Sequence, residues 1–402
     1  MANLCARLRG PNAQPRKSIT KSSLEYLAIC ITPPRYLAGK ARFEGKNLLA
    51  LIWLVPMQDW IDKHESKGTT ALPLVRLNLI LPFLEALDRL RLNTNALLTS
   101  NGLVRETVLD PNVFVPVVVV HRFLEGAAEE ANDPYFGVRV GESLDLSNWP
   151  PFVDAVSRAT TLGEFLIRFI RAVKDEASSA YHSLEVGVSY AFFKEIRTSE
   201  QEIAPAQNDA FTAAYTLGLL RRGSGSTWNG DDVRLKVCDP SVLPPHYLGV
   251  HIVGGDRMGM MVRFPTAWLL QPLDRRALVP SPPMSENRLR PPIEFVDALR
   301  QTLMLHLHHA DLNVDYVARL TGINRQSLQR KLKASGTTFS TEVIELKKRR
   351  AGEDLVHSDK SIAEIAASLG FTNPTSFTRA FRAWTGESPR HYRKSRRALL
   401  AH

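Results

Sequence analysis

Four polar side chains near the carboxyl end of the chain are spaced so that one helix face could present them to a nucleic acid. They are Gln326, Gln329, Arg330 and Lys333, at i, i+3, i+4 and i+7, the spacing that places side chains on one face of an α-helix. Arg can form two hydrogen bonds with guanine, and Gln can form two with adenine. The pattern therefore indicates recognition of base edges, although a single charged stripe is more often a solvated helix face.

The same spacing recurs further along the chain, at Thr375, Thr378, Arg379 and Arg382. Two matching stripes greatly weaken the solvated-face interpretation and point to DNA. The first stripe has more capacity for two-bond contacts with bases, whereas the second mixes short hydroxyls with cations. If that difference is functional, the first stripe supplies more of the specificity and the second more of the anchoring.

Each stripe follows a copy of one short motif, which must form the element that positions it. The copies are Val317–Ile323 and Ile365–Phe371, and their glycines, Gly322 and Gly370, are 48 residues apart. Apolar residues recur at helical spacing behind the stripes, at Leu328, Leu332, Phe377, Phe381 and Trp384. The pattern predicts two copies of one helix-turn-helix unit.

Residues typical of helix ends support these two units. Ser361 and Glu364 have the spacing of a capping box, and Asn324 can cap the first recognition helix. Asn373 is followed by a proline, which is favoured at the first helical position. Glycines that can end the two recognition helices occur at Gly336 and Gly386.

One helix from Ser340 to His357 is predicted to join the two units. It carries the basic run Lys347–Arg350 and is long enough to hold the units in a fixed relation. Its weak point is Gly352, because glycine costs about 1 kcal/mol relative to alanine in a helix interior.

Four segments of the tail carry a family resemblance: SIAEIA at 361–366, LGF at 369–371, SFTRAFRAWTG at 376–386 and SPRHYR at 388–393. With the rest of Val314 to Arg393 they resemble the AraC/XylS family of bacterial transcription regulators. The resemblance implies that the two units enter successive major grooves on one side of DNA, and that RNA polymerase is a partner. The predicted DNA-binding residues are those of the two stripes together with neighbouring positions of the two recognition helices. They are Arg325, Gln326, Gln329, Arg330, Lys333, Asn373, Thr375, Ser376, Thr378, Arg379 and Arg382.

Positive charge is concentrated in the same part of the chain. From Arg288 to the end there are 20 basic and 11 acidic residues, a net charge of +9 out of +10 for all 402 residues. Residues 69–287 have 20 basic and 25 acidic residues and are net negative. This segregation favours a polyanionic partner at the tail and predicts a steep loss of affinity with salt.

Six prolines between Pro272 and Pro292 mark a domain boundary, because such a stretch continues neither a helix nor a central strand. We expect an extension at 1–68, an effector-sensing or dimerisation domain at 69–275, a proline-rich linker at 276–292 and a DNA-binding domain at 293–402. The first helix of the last domain is predicted from Ile293 to about His308.

The middle region mixes helical and strand patterns. Helices are predicted at Leu74–Leu92, with Pro82 starting or kinking it, and at Val117–Ala131 and Leu162–Ala180. Strands are predicted at Leu184–Tyr190, Ala191–Arg197, Val233–Val237 and Met260–Phe264. The predicted fold is an α+β domain followed by an all-α domain of two helix-turn-helix units joined by a linker helix.

Two segments of the middle region carry a looser resemblance, YFGVRVGE at 135–142 and RFPTAWL at 263–269. Over roughly 72–272 the chain is similar to the amino-terminal, arabinose-binding-type domain of the AraC subgroup typified by ornithine-utilisation regulators. The resemblance implies effector sensing or self-association. It does not make arabinose the ligand, and it identifies no effector-binding residue.

The motifs of common enzymes are missing from the sequence: there is no GxSxG, Walker loop, CxxC or HExxH. We therefore expect no catalytic residue and no cofactor. The glycines at 254–259 favour a turn over a phosphate site. His306, His308 and His309 lack ligand partners at metal-site spacing, so no metal is expected. Arg139 and Glu142 are interpreted as a surface pair.

The three cysteines, Cys5, Cys30 and Cys238, are scattered and odd in number, which favours the reducing cytoplasm over a disulfide framework. No signal peptide is recognisable at the start. The apolar run Leu48–Met57 is about half the ~20 residues that a membrane-spanning helix needs. Residues 1–68 are expected to be a disordered extension, or the assigned start lies upstream of the true one, for which Met57 is a candidate.

The sequence therefore predicts a cytoplasmic, sequence-specific DNA-binding regulator. The family resemblance favours a homodimeric activator that responds to a small-molecule effector. Two alternatives stay open: a constitutive or architectural DNA-binding protein whose middle domain only dimerises, and an enzyme with a DNA-binding tail.

Overall fold

The structure is a computed structural model that describes residues 72–146, 149–200, 202–273 and 288–400. The predicted extension 1–68, with Cys5, Cys30, the run Leu48–Met57 and the candidate start Met57, lies outside the described residues. So does most of the predicted linker. No helix in the described ranges is long and apolar enough to cross a membrane.

The first half of the middle domain is mainly helical. Strands β1 (Leu74–Arg76) and β2 (Phe114–Pro116) pair antiparallel, with Val75 opposite Val115. The helices are α1 (Leu81–Arg89), α2 (Thr94–Ser100), α3 (Arg105–Leu109), α4 (Val117–Glu130) and α5 (Phe136–Glu142).

The helix predicted at Leu74–Leu92 is thus wrong in its first part. Strand β1 and a short 3-10 turn, Leu77–Ile80, precede α1. The apolar pattern of this segment is compatible with a helix or a strand, and pairing with β2 makes its first residues a strand. Pro82 lies in the first turn of α1, as predicted. Helix α4 agrees with the prediction.

The second half of the middle domain is built on a sheet. Its strands are β3 (Ala180–Val186), β4 (Tyr190–Arg197), β5 (Arg234–Val237), β6 (His251–Gly254) and β7 (Gly259–Pro265), in the order β3-β4-β7-β5-β6. All pairs are antiparallel except β5 with β6. The helices are α6 (Pro150–Arg158), α7 (Leu162–Val173) and α8 (Ala206–Ser224).

Three predictions about this sheet need correction. Helix α7 ends at Val173 rather than near Ala180, because Ala180 already pairs with Arg197 in the sheet. Strand β3 lies earlier than predicted, since the hairpin turn occupies 187–189. Strand β6 was missed: its residues are mostly exposed, so they show no apolar alternation. The glycine-rich segment at 254–259 is a turn, as predicted.

Helix α8 is buried between the two halves of the middle domain. Glycines let α5 approach it closely, because a Cβ at Gly137 or Gly141 would lie 2.5 or 2.6 Å from a backbone oxygen of α8. This contact explains two positions of the YFGVRVGE segment. The predicted pair of Arg139 with Glu142 is wrong, since the Arg139 guanidinium bonds the Asp133 carboxylate instead.

The tail is all helical, as predicted, and packs around one apolar core. Its helices are α9 (Phe295–Leu305), α10 (Val314–Thr321), α11 (Arg325–Ala334), α12 (Phe339–His357), α13 (Ile362–Ser368), α14 (Pro374–Thr385) and α15 (Pro389–Leu400). Buried residues of both helix-turn-helix units meet in this core, together with Leu72, Leu74 and Phe114 of the middle domain. The predicted fold class is confirmed.

Candidate nucleic-acid interface

The first helix-turn-helix unit consists of α10 and α11, and polar caps set its ends. The Asn313 side chain accepts a hydrogen bond from a backbone N–H in the first turn of α10, and Asn324 does the same for α11. Between the helices Gly322 is left-handed, with φ of 67°. Leu328 and Leu332 are buried in the core. The opposite face of α11 therefore points to solvent.

That outer face carries the first predicted stripe. Arg325 is exposed, and its guanidinium lies 3.0 Å from an Asp315 carboxylate oxygen on α10. Among the described residues, the other four side chains have no hydrogen-bond or ion-pair partner and are exposed: Gln326, Gln329, Arg330 and Lys333. Their donors and acceptors are available to a ligand.

The second unit consists of α13 and α14 and repeats this plan. Ser361 and Glu364 form the predicted capping box, and Gly370 is left-handed, with φ of 71°. The Asn373 side chain accepts a hydrogen bond of 2.8 Å from the Ser376 N–H and so caps α14. Phe377 and Phe381 are fully buried.

The second stripe is less uniform than the first. Thr375, Ser376, Arg379 and Arg382 are exposed. Thr378 is half-buried, and its hydroxyl donates to the Pro374 carbonyl oxygen at 2.8 Å. The cations and two hydroxyls are therefore open to a ligand, whereas Asn373 and Thr378 also hold the start of α14.

A groove of about 990 Å³ runs between the second stripe and the start of α15. Thr375, Arg379 and Arg382 form one wall, and Arg390 of α15 lies on the other. Arg390 is exposed and was missing from the predicted set. Arg390 is identified by its position at the start of α15, across the groove from the second stripe. The sequence alone does not show that these two segments are neighbours.

The basic run on the linker helix α12 is mostly engaged within the protein. Lys347 is half-buried, with its ammonium 4.9 Å from the centre of the Phe371 ring, and burial lowers its pKa. Lys348 and Arg350 lie 3.5 and 3.4 Å from carboxylates of α12. The run therefore contributes less free positive charge than its sequence suggests.

Cations of α15 also stabilise the linker helix. Arg393 donates to the carbonyl of Leu355, and Arg397 donates to that of Val356, both in the last turn of α12. Gly352, the expected weak point, lets α15 pack closely, since a Cβ there would lie 3.3 Å from the Tyr392 hydroxyl.

The middle domain contains a cavity of about 660 Å³ between its helical half and its sheet. One wall is a single face of α4, formed by Val117, Val120, His121 and Leu124. Charged side chains that are not exposed line it at two places, Arg288 with Glu176 and Arg197 with Glu195, and the exposed Glu85, Arg89 and Asp145 also lie along it. No sequence motif indicated these residues, because four separate segments bring them together: α4, β4 and the stretches around Glu176 and Arg288.

A different face of α4 contacts the first helix-turn-helix unit. Val118 is buried, and a Cβ built on Gly322 would lie 3.6 Å from one of its methyls. Leu320 of α10 joins the core of the helical half. Among the described residues, α9 and α10 make the larger contacts with the middle domain, and α13 to α15 do not.

A histidine and a tyrosine support this joint. The Tyr316 hydroxyl and His306 Nδ1 are 3.1 Å apart, and both lie next to Gly102 of the middle domain. Burial lowers the pKa of His306 to about 4, with a smaller effect of His309 and His308. The His cluster thus has a packing role at the domain contact.

Two family models match the chain. A helix-turn-helix domain matches residues 317–395, and the arabinose-binding domain of AraC transcription regulators matches residues 92–273.

Known proteins show similarity over about three quarters of the chain or over about a quarter of it. An ornithine utilization regulator of Pseudomonas aeruginosa is 24% identical over 322 residues, 73% of this chain and 88% of that protein. The transcriptional activator NphR of a Rhodococcus species is 28% identical over 101 residues, 25% of this chain and 30% of that protein. The crystal structure of the transcriptional regulator CdpR from Pseudomonas aeruginosa aligns with 18% identity over 75% of this chain and 96% of its own, with a TM-score of 0.32.

Proposed function

Because the chain belongs to the AraC/XylS family of transcription regulators, with a helix-turn-helix DNA-binding domain and an arabinose-binding-like effector domain, we propose that it is a cytoplasmic homodimeric activator. It binds paired half-sites near promoters, contacts RNA polymerase there and responds to a small molecule. The domain boundaries of the proposal are 69–275 for sensing and dimerisation, 276–292 for the linker and 293–402 for DNA. The similarity to a named transcriptional activator supports the sign of regulation.

The observation that carries the proposal is the pair of open stripes on α11 and α14. Gln326, Gln329 and Arg330 have free hydrogen-bonding groups on the exposed face of α11. This helix is capped at its start, and its other face is buried in the core. These groups suit contacts with base edges in a major groove. Arg379 and Arg382, with Arg390 across the groove, suit contacts with phosphates.

The route from effector to DNA in this proposal is α4. One of its faces lines the cavity, and another contacts the turn of the first unit through Val118. A ligand that shifts or stiffens α4 changes the position of Gly322 and hence of α11. The second unit follows through the linker helix α12 and through the core that it shares with the first unit.

The test is selection of bound sequences from random DNA by the full-length chain, combined with genome-wide mapping of the sites it occupies. We expect two sequence blocks about one helical turn apart on one face of the DNA, repeated for a dimer. Affinity for the selected site should fall by roughly 0.9 log units per log unit of salt for each phosphate neutralised. Occupancy without any sequence preference would contradict the proposal and favour an architectural protein.

A further inference from the structure

The sheet side of the cavity holds more buried negative than positive charge. The Arg197 guanidinium donates to two carboxylates, Glu195 at 3.1 Å and Asp209 at a shorter distance, and the three side chains are at most 9% exposed. Asp209 also accepts a bond of 2.8 Å from the Cys238 N–H. Burial raises the pKa of Glu195. One cation thus faces two acids, and only Glu195 of these acids lines the cavity.

His182 adds an unused polar atom beside Glu195. The two residues are cross-strand neighbours on β3 and β4, and both line the cavity. His182 Nε2 is buried without a hydrogen-bond partner among the described residues, 3.7 Å from a Glu195 carboxylate oxygen. A buried nitrogen without a partner is costly, so a donor placed between these two atoms would be stabilised.

The rest of the cavity suits an apolar body of limited length. Val117, Val120 and Leu124 of α4 form one wall. The volume of the cavity lies within the ~300–1,000 Å³ usual for small-molecule sites. Arg288 lies at the other charged place, where it and Arg76 share Glu176, so positive charge is in excess there. The other lining carboxylates, Glu85 and Asp145, are exposed to solvent, so a cationic ligand group that is buried in the cavity is directed to the Glu195 end.

We propose that this cavity is the effector site and that it takes an amine: a protonated ammonium bound between Glu195 and His182, with an apolar body along α4. An ammonium has three donors and can serve both atoms at once, which a hydroxyl with its single proton cannot. The positive charge also offsets the second carboxylate. The inference rests on the proposed function, because it assigns the ligand class of the domain that senses the effector.

Three probes with the same apolar body test this assignment on the full-length chain: 2-phenylethylamine, 2-phenylethanol and 3-phenylpropanoate. Calorimetric titration and thermal unfolding measure their binding. We expect the amine to bind at least about tenfold more tightly than the alcohol, since one charge-assisted hydrogen bond contributes that much. The carboxylate should bind most weakly, because it adds a negative charge beside Glu195. Equal binding of amine and alcohol, or no binding of any probe, overturns the assignment.

Variants locate the bound amine. Glu195→Gln should remove the preference for the amine and leave alcohol binding within about twofold. Glu185→Gln is the matched control: this carboxylate lies on β3, 2.7 Å from the Lys194 ammonium, and does not line the cavity. If Glu195→Gln does not fold, Glu195→Asp keeps the charge and should keep the preference. Val120→Trp fills the cavity and should weaken all three probes, and amine binding unchanged in it overturns the assignment.

Failure of this assignment is distinguishable from failure of the proposed function. The same preparations are tested on the selected DNA site. Specific DNA binding with no amine preference rejects only the ligand class, whereas loss of sequence preference in the unmodified chain rejects the regulator proposal itself.

Discussion

The two helix-turn-helix units share a motif but differ in what holds them. The turn of the first unit lies against α4 of the middle domain, with Gly322 next to Val118. The turn of the second unit lies against the tail itself, since a Cβ at Gly370 would be 2.6 Å from the His309 carbonyl oxygen. The second unit is further held by α15, whose arginines bond the end of α12. The two copies of the motif are therefore held in place by different parts of the protein.

This difference assigns separate tasks to the two units. The first unit touches the wall of the cavity and carries the stripe richer in base-recognising side chains. The second combines two exposed arginines with exposed hydroxyls, faces Arg390 across the groove and is fixed to the linker helix. We therefore infer that effector control acts first on the unit that supplies specificity and reaches the unit that supplies anchoring indirectly, through the linker helix and the shared core.

The largest effect is expected from Phe381→Ala, which tests whether the units share one core. Phe381 is fully buried in a cluster that also contains Leu328 and Leu332 of the first unit. Loss of the ring should reduce the free energy of unfolding by about 3–5 kcal/mol. Hydrogen exchange should increase in α11 as well as in α14. Faster exchange confined to α13 and α14 would contradict a shared core. Leu399→Ala, at a side chain that is 68% exposed, is the control.

The next largest effect separates the two turns. Gly322→Ala and Gly370→Ala both place a side chain at positive φ, which costs about 1–2 kcal/mol. Only at Gly370 does the new methyl also meet backbone atoms, so its total cost should be about 2–4 kcal/mol. Denaturant unfolding of the two variants measures the difference. Equal losses would mean that the second turn is no more tightly enclosed than the first.

Much of the tail was predictable from sequence, whereas the cavity was not. The capping box at Ser361 and the caps at Asn324 and Asn373 are local signals, so their structures agree with the predictions. Strand β6 and the start of β3 depend on pairing with β5 and β4, whose partner residues lie 17 positions away in the sequence and not within the local pattern. The cavity needs α4, β3 and β4 in one place, and Glu195 acquires its surroundings only there.

The two recognition helices should respond differently to loss of one arginine. Arg330→Ala should cost about 1–3 kcal/mol on the selected site and relax the preference at one base pair, if this arginine contacts guanine. Arg379→Ala should weaken specific and random DNA by a similar factor if it contacts phosphate. Titration of both DNA types with each variant measures this. Arg158→Ala, which removes a 70% exposed arginine from the middle domain, controls for net charge.

If instead Arg379→Ala changes the preferred sequence and Arg330→Ala does not, the division of tasks between the units is reversed. Equal relaxation at two separate base pairs would mean that both units contribute specificity.

The smallest effect concerns the joint that distinguishes the first unit, and it depends on pH. His306 is neutral and buried beside Tyr316, His308 and His309, and its pKa is lowered from 6.5 to about 4, chiefly by burial. The unfolded chain therefore binds more protons than the folded chain between these values, so stability falls as pH falls from about 6.5 towards 4. Between pH 7 and 5.5 the loss from this group should be about 1 kcal/mol. Hydrogen exchange in α9 and α10 measures this loss of stability. His306→Asn should make the stability less dependent on pH. His391→Asn is the control: it lies at an exposed position and should leave the pH dependence unchanged. An unchanged slope in His306→Asn would show that the joint is not held by a neutral histidine at this position.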